Sequence, residues 1–177
     1  MKLEAVNALD RAAFVDAFGD IAEESPWVAE NAAAQAPFPS REALIAAFCA
    51  ALQGAEDEDR LAVVCAHPDL AGKLAAAGQL TEDSTQEQAS AGLDRLTDAE
   101  RTEFTALNES YKARFGFPFI LAVKGATKAQ ILDSFRDRLP RDRSEEFTEA
   151  IRQVCRIMTF RLEDRVEETT EQRGKGG

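Results

Sequence analysis

A chain of 177 residues with 45% hydrophobic and 30% charged side chains is long enough to bury a core and is ordinary for one globular domain. Its formal net charge of −11 repels phosphate backbones and anionic lipids, so we expect no nucleic acid and no membrane as partners. No apolar run approaches the ~20 residues that cross a bilayer, and the first residues lack the pattern of a secretory signal.

Helix start signals recur along the chain, and no alternating strand pattern bounded by turns is present. Ser84 and Thr97 are each followed three residues later by glutamate, which is the capping-box pattern. The residues that predict helix starts are, in chain order, Asp10, Ser25, Ser40, Ser84, Thr97, Thr127 and Ser144. The sequence therefore predicts an all-α protein, with a single compact domain of roughly seven to eight helices over residues 1–166 and a polar frayed tail over 167–177.

The three cysteines, Cys49, Cys65 and Cys155, are odd in number, far apart and embedded in apolar stretches. This usage is untypical of a disulfide framework and predicts buried, reduced thiols. We therefore expect the protein to be cytoplasmic.

The only histidine, His67, lies directly before Pro68 and follows the apolar residues Leu61, Val63 and Val64. A residue before proline is pushed away from helical dihedrals, so a helix over this apolar run should end at the imidazole. The C-terminus of a helix carries partial negative charge, which stabilises a protonated imidazole and suits it for proton transfer. The alternative is a polar side chain that only caps the helix.

One histidine and scattered cysteines do not supply the ligands of a zinc site, and the chain has no glycine-rich phosphate or dinucleotide motif. An acid–base arrangement remains, in which His67 exchanges a proton, the carboxylate of Glu87 supports its charge and Gln88 offers an amide. Glu87 has an alternative role as the acid of the capping box that begins at Ser84. A helix start there would also present N–H groups to an anion.

Two further features have two interpretations each. The apolar run from Phe117 to Val123 lies between Gly116 and Gly125, so it is either core or a backbone segment laid beside a planar ligand. Arg161 lies within the apolar stripe of the last predicted helix, where a buried charge needs a partner. It therefore binds either an internal acid or the carboxylate of a ligand.

Several short motifs occur in a fixed order along the chain. They are Ser25-Pro26-Trp27, His67-Pro68-Asp69-Leu70-Ala71-Gly72, Ser84-x-x-Glu87-Gln88-x-x-x-Gly92-Leu93, the pair Asn108 and Tyr111, Phe115-Gly116-Phe117-Pro118-Phe119-Ile120, and Arg161-Leu162. Together, from about Leu9 to Leu162, they resemble the OHCU decarboxylases of purine breakdown, which act on 2-oxo-4-hydroxy-4-carboxy-5-ureidoimidazoline in the conversion of urate to allantoin. Ala36 departs from the resemblance, because family members typically have arginine before the Pro-Phe pair, and we expect a structural effect.

The resemblance implies an all-helical lyase that needs no cofactor and no metal, forms a homodimer, releases CO2 and yields S-allantoin. It implies that His67 donates the proton and that Glu87 orients or polarises it, while Pro68 walls the pocket. The residues to which it assigns substrate binding are Pro68, Ser84, Gln88, Phe119, Ile120, Leu121, Ala122, Val123 and Arg161. It also implies a functional coupling to the upstream 5-hydroxyisourate hydrolase.

Two alternative functions stay open on the sequence alone. A non-catalytic helical protein-interaction module would use His67 and Glu87 as caps and would pair Arg161 with an internal acid. A hydrolase of a ureido compound would release ammonia or urea and no CO2.

Overall fold

The computed structural model describes residues 1–168, and within them the chain forms ten helices and no strand. The helices are α1 (Leu3–Asn7), α2 (Arg11–Phe18), α3 (Trp27–Ala33), α4 (Arg41–Gln53), α5 (Asp57–Ala66), α6 (Lys73–Ala76), α7 (Glu82–Ser90), α8 (Asp98–Phe115), α9 (Lys128–Arg138) and α10 (Arg143–Arg165). The predicted all-α class is confirmed. None of these helices is both long enough and apolar enough to cross a membrane. Of the predicted tail over 167–177, residues 169–177 lie outside the described residues.

The helices that were not predicted are α1 and α6. They contain five and four residues, which is too short for a periodic apolar pattern to appear in the sequence.

Side chains cap several helices at the predicted positions. Asp10 and Ser40 each accept a hydrogen bond from the amide three residues further on, at 2.8 and 3.1 Å. At α8, Thr97 and Glu100 each bind the other's amide through their side chains, which confirms the predicted capping box. Thr127 caps α9 in the same reciprocal way.

The predicted capping box at Ser84 is wrong, because α7 begins one turn earlier. Thr81 is the N-cap, and its hydroxyl accepts a hydrogen bond from the Ser84 amide at 3.3 Å. Behind this threonine, Glu82 and Asp83 place two carboxylates in the first turn, where the helix dipole favours negative charge. Thr81 therefore supplies the capping hydroxyl three residues before Ser84, at a position that two carboxylates favour as the helix start.

The segments around α3 show a second misplaced cap. Ser25 donates its hydroxyl to the carbonyl of Glu23 at 2.7 Å instead of capping, and the helix begins at Trp27. After α3, Ala36 is exposed and is joined to Pro37 by a cis peptide bond.

Contacts along the chain group into two compact units, of which the first comprises Met1–Gly54 together with the segment from Met158 onward. Its core contains four phenylalanine rings, three of which lie 5.0, 5.9 and 6.1 Å from the ring of the fourth, Phe14. These rings belong to Phe14, Phe18, Phe38 and Phe48, and all four are buried.

The second unit, Ala55–Ile157, contains α5 to α9 and the greater part of α10. The run from Phe117 to Val123 passes through it without helix or strand, and most of its side chains are buried. The ring of Phe119 stacks on that of Phe135 with centroids 3.7 Å apart, and Tyr111 meets Phe119 edge-on at 5.3 Å. This run is therefore part of the core of the second unit.

The prediction of buried thiols holds only for Cys155. Cys49 is half-buried and Cys65 is exposed, and none of the three forms a disulfide within the described residues. The reason at Cys65 is helical geometry. Val63 and Val64 take the buried positions of α5, and the next residue is rotated by about 100° toward solvent.

Candidate active site

His67 is the residue at which α5 ends. Its backbone leaves the helix with φ −71° and ψ 136°, as its position before Pro68 predicts. The side chain is 6% exposed, and its Nδ1 lies 2.8 Å from the carbonyl oxygen of Val63, one turn earlier. Because a carbonyl oxygen can only accept, Nδ1 holds the proton of this bond, and Nε2 is the nitrogen that gains or loses a proton.

The loop that follows the imidazole is held by α8 at two points. Lys112 Nζ lies 2.6 Å from Oδ2 of Asp69, and Asn108 Nδ2 donates to the carbonyl of Leu70 at 2.8 Å. The loop turns at Ala71 with φ 52°, a left-handed conformation that costs about 1–2 kcal/mol for a residue with a Cβ. The contacts with α8 therefore stabilise a loop that contains an unfavourable turn four residues after the imidazole.

Gln88 binds the same loop from α7. Its Oε1 accepts a hydrogen bond from the amide of Ala71 at 2.9 Å, and its Nε2 donates to the carbonyl of Asp69 at 3.3 Å. Each end of a glutamine amide can form a second hydrogen bond, so this contact is compatible with ligand binding. The structure thus attaches Gln88 of α7 to the loop that begins with His67 and Pro68, through the residues that follow this pair.

A cavity of about 340 Å³ in the second unit borders this loop. Residues along its wall include His67, Pro68, Lys73, Asn108, Lys112 and Pro118. The cavity wall carries charges of both signs, because Asp69 and Glu109 line it beside the two lysines, and Lys112 is paired with Asp69. Cys65 lines the same cavity, and partial burial raises the pKa of its thiol, which keeps it protonated at neutral pH.

Ser84 and Glu87 are the third and sixth residues of α7, so neither is its N-cap. Ser84 is buried and Glu87 is half-buried. Since α7 begins at Glu82 after Thr81, Glu87 is not the acid of a capping box, and the Ser84 amide in the first turn is already bound by the Thr81 hydroxyl. The capping interpretation of Glu87 is therefore wrong.

The backbone of the predicted segment from Phe119 to Val123 is anchored by side chains of α9 and α10. Arg138 Nη1 donates to the carbonyl of Ile120 at 2.6 Å, and the amide of Ala122 donates to Oε1 of Gln153 at 3.0 Å. Both side chains are buried, with 4% and 2% exposure. The segment is core through its side chains and is fixed through its main chain.

Arg161 belongs to the first unit, where it meets an acid. Its Nη2 lies 3.1 Å from Oε1 of Glu23, its Nη1 donates to the carbonyl of Ile21 at 3.3 Å, and both members of the ion pair are 3% exposed. Of the two kinds of partner that the sequence leaves open, the structure contains the internal acid. Substrate binding by Arg161 stays a prediction.

Four side chains that shape the site were not predicted as site residues: Asn108, Lys112, Arg138 and Gln153. The sequence did contain an indication of Asn108, because its spacing places it on the buried face of α8 between Phe104 and Tyr111, and a buried polar side chain there needs a hydrogen-bond partner. Lys112 and Arg138 lie near the ends of their helices, where basic residues are common and indicate no particular partner.

An all-α chain with a buried imidazole of defined tautomer beside a cavity lined by charged side chains of both signs fits a helical acid–base enzyme. A family model described as "OHCU decarboxylase" matches residues 7–163. The chain therefore belongs to the OHCU decarboxylase family of carboxy-lyases, as its motifs predict.

Individual relatives agree with the family. The "2-oxo-4-hydroxy-4-carboxy-5-ureidoimidazoline decarboxylase" of Halalkalicoccus jeotgali is 42% identical over 164 residues, which cover 93% of this chain and 91% of the relative. A "uric acid degradation bifunctional protein" of Bacillus subtilis is 40% identical over 169 residues, which cover 96% of this chain and 33% of the relative. The crystal structure of an "(S)-allantoin synthase" matches with a TM-score of 0.75 at 30% identity, covering 94% of this chain and 54% of that one.

Proposed function

We propose that this chain decarboxylates 2-oxo-4-hydroxy-4-carboxy-5-ureidoimidazoline to S-allantoin and CO2 without a cofactor, as the last step from urate to allantoin. Support comes from the family match over residues 7–163 and from the names of relatives that are aligned over most of this chain. The likeness to an "(S)-allantoin synthase" supports the same product.

The chemistry needs a proton donor and a place for one electron pair. When the bond between the ring carbon and the carboxylate breaks, CO2 leaves and the electron pair moves into the neighbouring ring C=N group. One proton is then added to the ring, and the face that receives it sets the handedness of the product. The enzyme must therefore orient the carboxylate out of the ring plane, stabilise the developing charge and protonate one face.

His67 is the residue to which we assign proton delivery. The observation that carries this assignment is the 2.8 Å contact between Nδ1 and the carbonyl of Val63. It orients the ring and leaves Nε2 as the nitrogen that delivers the proton, because Nδ1 keeps its own. The carbonyl lies at the C-terminal end of α5, where partial negative charge stabilises the imidazolium before transfer.

The remaining roles follow the same assignment. Glu87 orients or polarises the imidazole from the interior of α7, and Pro68 forms a wall of the pocket. The groups that bind the substrate are the side chains of Ser84, Gln88 and Arg161 and the main chain of Phe119, Ile120, Leu121, Ala122 and Val123. We further propose a homodimer, testable by light scattering, and a cytoplasmic enzyme that is functionally coupled to the 5-hydroxyisourate hydrolase that makes its substrate.

The test is circular dichroism on a mixture that makes the substrate in situ from urate, with and without this protein. We expect fast appearance of one allantoin enantiomer only when the protein is present. Optically inactive product that forms at the rate of the blank would overturn the proposal. Release of ammonia or urea without CO2 would indicate a hydrolase instead.

Replacing His67 by asparagine tests the assigned proton donor. We expect turnover to fall by about 10²- to 10⁴-fold, the usual contribution of a positioned acid, while the helical circular dichroism signal is retained. Cys65→Ser is the matched control, because it changes the same cavity wall without touching an assigned group. Wild-type turnover in the His67→Asn protein would contradict the role of the imidazole.

A further inference from the structure

The two peptide planes that flank Leu121 each have one group bound by a buried side chain. Arg138 binds the carbonyl of Ile120, and Gln153 binds the amide of Ala122. Both planes are trans, and in a trans plane the C=O and N–H groups point in opposite directions. The N–H of Leu121 therefore points away from Arg138, and its C=O points away from Gln153.

Arg138 and Gln153, the two anchors of this main chain, are themselves held in place. Arg138 Nε donates to Oε1 of Glu146 at 2.7 Å, and its guanidinium lies 4.3 Å from the centroid of the Phe119 ring. Glu146 is fully buried and also accepts the hydroxyl of Tyr111 at 2.6 Å. Such a charge-assisted network inside a core is stiff, because each group would lose its partner by moving.

The second anchor is oriented from within α10. Gln153 Nε2 donates to Oε1 of Glu149 at 2.7 Å, which turns the Oε1 of this glutamine toward the amide of Ala122. With 2% exposure, Gln153 has no competing contact with solvent. The side-chain amide of Gln153 thus links α10 to the main chain of the predicted substrate-binding segment.

We propose that Gln153 and Arg138 are positioning residues for substrate binding, which they support through the main chain of Leu121. The inference rests on the proposed function. Leu121 is half-buried, and its amide, which points away from Arg138, and its carbonyl, which points away from Gln153, form a main-chain donor–acceptor pair. Such a pair is complementary to the –NH–C=O edge of a planar cyclic ureide, and its register is fixed by two side chains that do not touch the substrate.

Gln153→Met tests this inference, because methionine fills a similar volume and cannot accept the amide of Ala122. We expect KM to rise about tenfold with kcat nearly unchanged, the signature of lost uniform binding of about one hydrogen bond. Gln153→Asn, which keeps the amide but is one methylene shorter, is a second variant with the same expectation should the first not fold. Circular dichroism reports folding, and the coupled allantoin assay reports both constants.

Two further variants separate positioning from a purely structural role. The double variant Gln153→Glu/Glu149→Gln exchanges the two side chains. The carboxylate at position 153 then accepts hydrogen bonds from both the Ala122 amide and the side-chain amide at position 149, so KM should lie closer to the wild-type value than in Gln153→Met. Val154→Ala removes buried volume from the adjacent position of the same helix and keeps both Arg138 and Gln153, so it should lower Tm with KM unchanged.

A Gln153→Met protein with a lowered Tm but a wild-type KM would overturn the inference and leave the proposed function standing. An equally raised KM in Val154→Ala, or no recovery in the double variant, would overturn it too. A wild-type chain that does not accelerate formation of optically active allantoin would instead overturn the proposed function, and the inference with it.

Discussion

Replacing Glu23 by glutamine removes the charge that Arg161 meets inside the first unit. Both side chains are 3% exposed, and their closest atoms lie 3.1 Å apart. Neutralising one member of a buried ion pair takes the nearest counter-charge from the other member and costs about 3–5 kcal/mol of unfolding free energy. In a chain of this length each kcal/mol changes Tm by about 2–4 °C, so we expect Tm to fall by about 6–20 °C.

Thermal unfolding followed by circular dichroism at helical wavelengths measures this loss. The double variant Glu23→Gln/Arg161→Met tests the origin of this loss, because it removes the buried arginine charge together with its nearest counter-charge. Replacing a buried pair by residues of similar volume is often neutral or stabilising, so the double variant should regain most of the lost Tm. A Tm within about 2 °C of wild type for Glu23→Gln, or additive losses in the double variant, would refute the reasoning.

The same double variant decides the predicted role of Arg161 in binding. With stability recovered, a KM far above the wild-type value supports a contact between Arg161 and the substrate. A wild-type KM would show that the guanidinium makes no contact with the substrate that contributes to binding.

Two further predictions concern pH and capping. Tyr111 is the only tyrosine, and its burial, followed by its hydrogen bond to Glu146, raises its pKa well above the ordinary value of about 10. Its contribution to stability is therefore complete below about pH 10 and is lost as the pH rises toward the folded pKa. Phenolate absorbance should be absent from the folded protein at about pH 10.5–11 and appear on unfolding in urea; phenolate in the folded protein would contradict this sign. Thr97→Ala should lower the unfolding free energy by about 0.5–2 kcal/mol in urea denaturation, and an unchanged value would mean that the capping box of α8 contributes nothing.

Helix ends were predictable where one strong signal acts on the adjacent backbone. His67 ends α5 because Pro68 excludes helical dihedrals at the residue before it, and Thr97 starts α8 because Glu100 completes its capping box. The Ser84 prediction failed because Thr81 offers the same hydroxyl one turn earlier with two acids behind it. When two hydroxyl residues can cap the same helix, small differences in their surroundings decide which one does, and a capping motif does not describe those surroundings.

The sequence by itself determined the all-α class, the end of α5 at His67 and, through its ordered motifs, membership of the decarboxylase family. The tertiary structure alone decided which partners the buried polar groups have. Arg161 pairs with Glu23, Asn108 binds Leu70 and Gln153 binds Ala122. These partners are separated along the chain by 138, 38 and 31 residue positions. Capping and dihedral preferences act between residues within about four positions of each other, whereas these pairs meet only when the core packs.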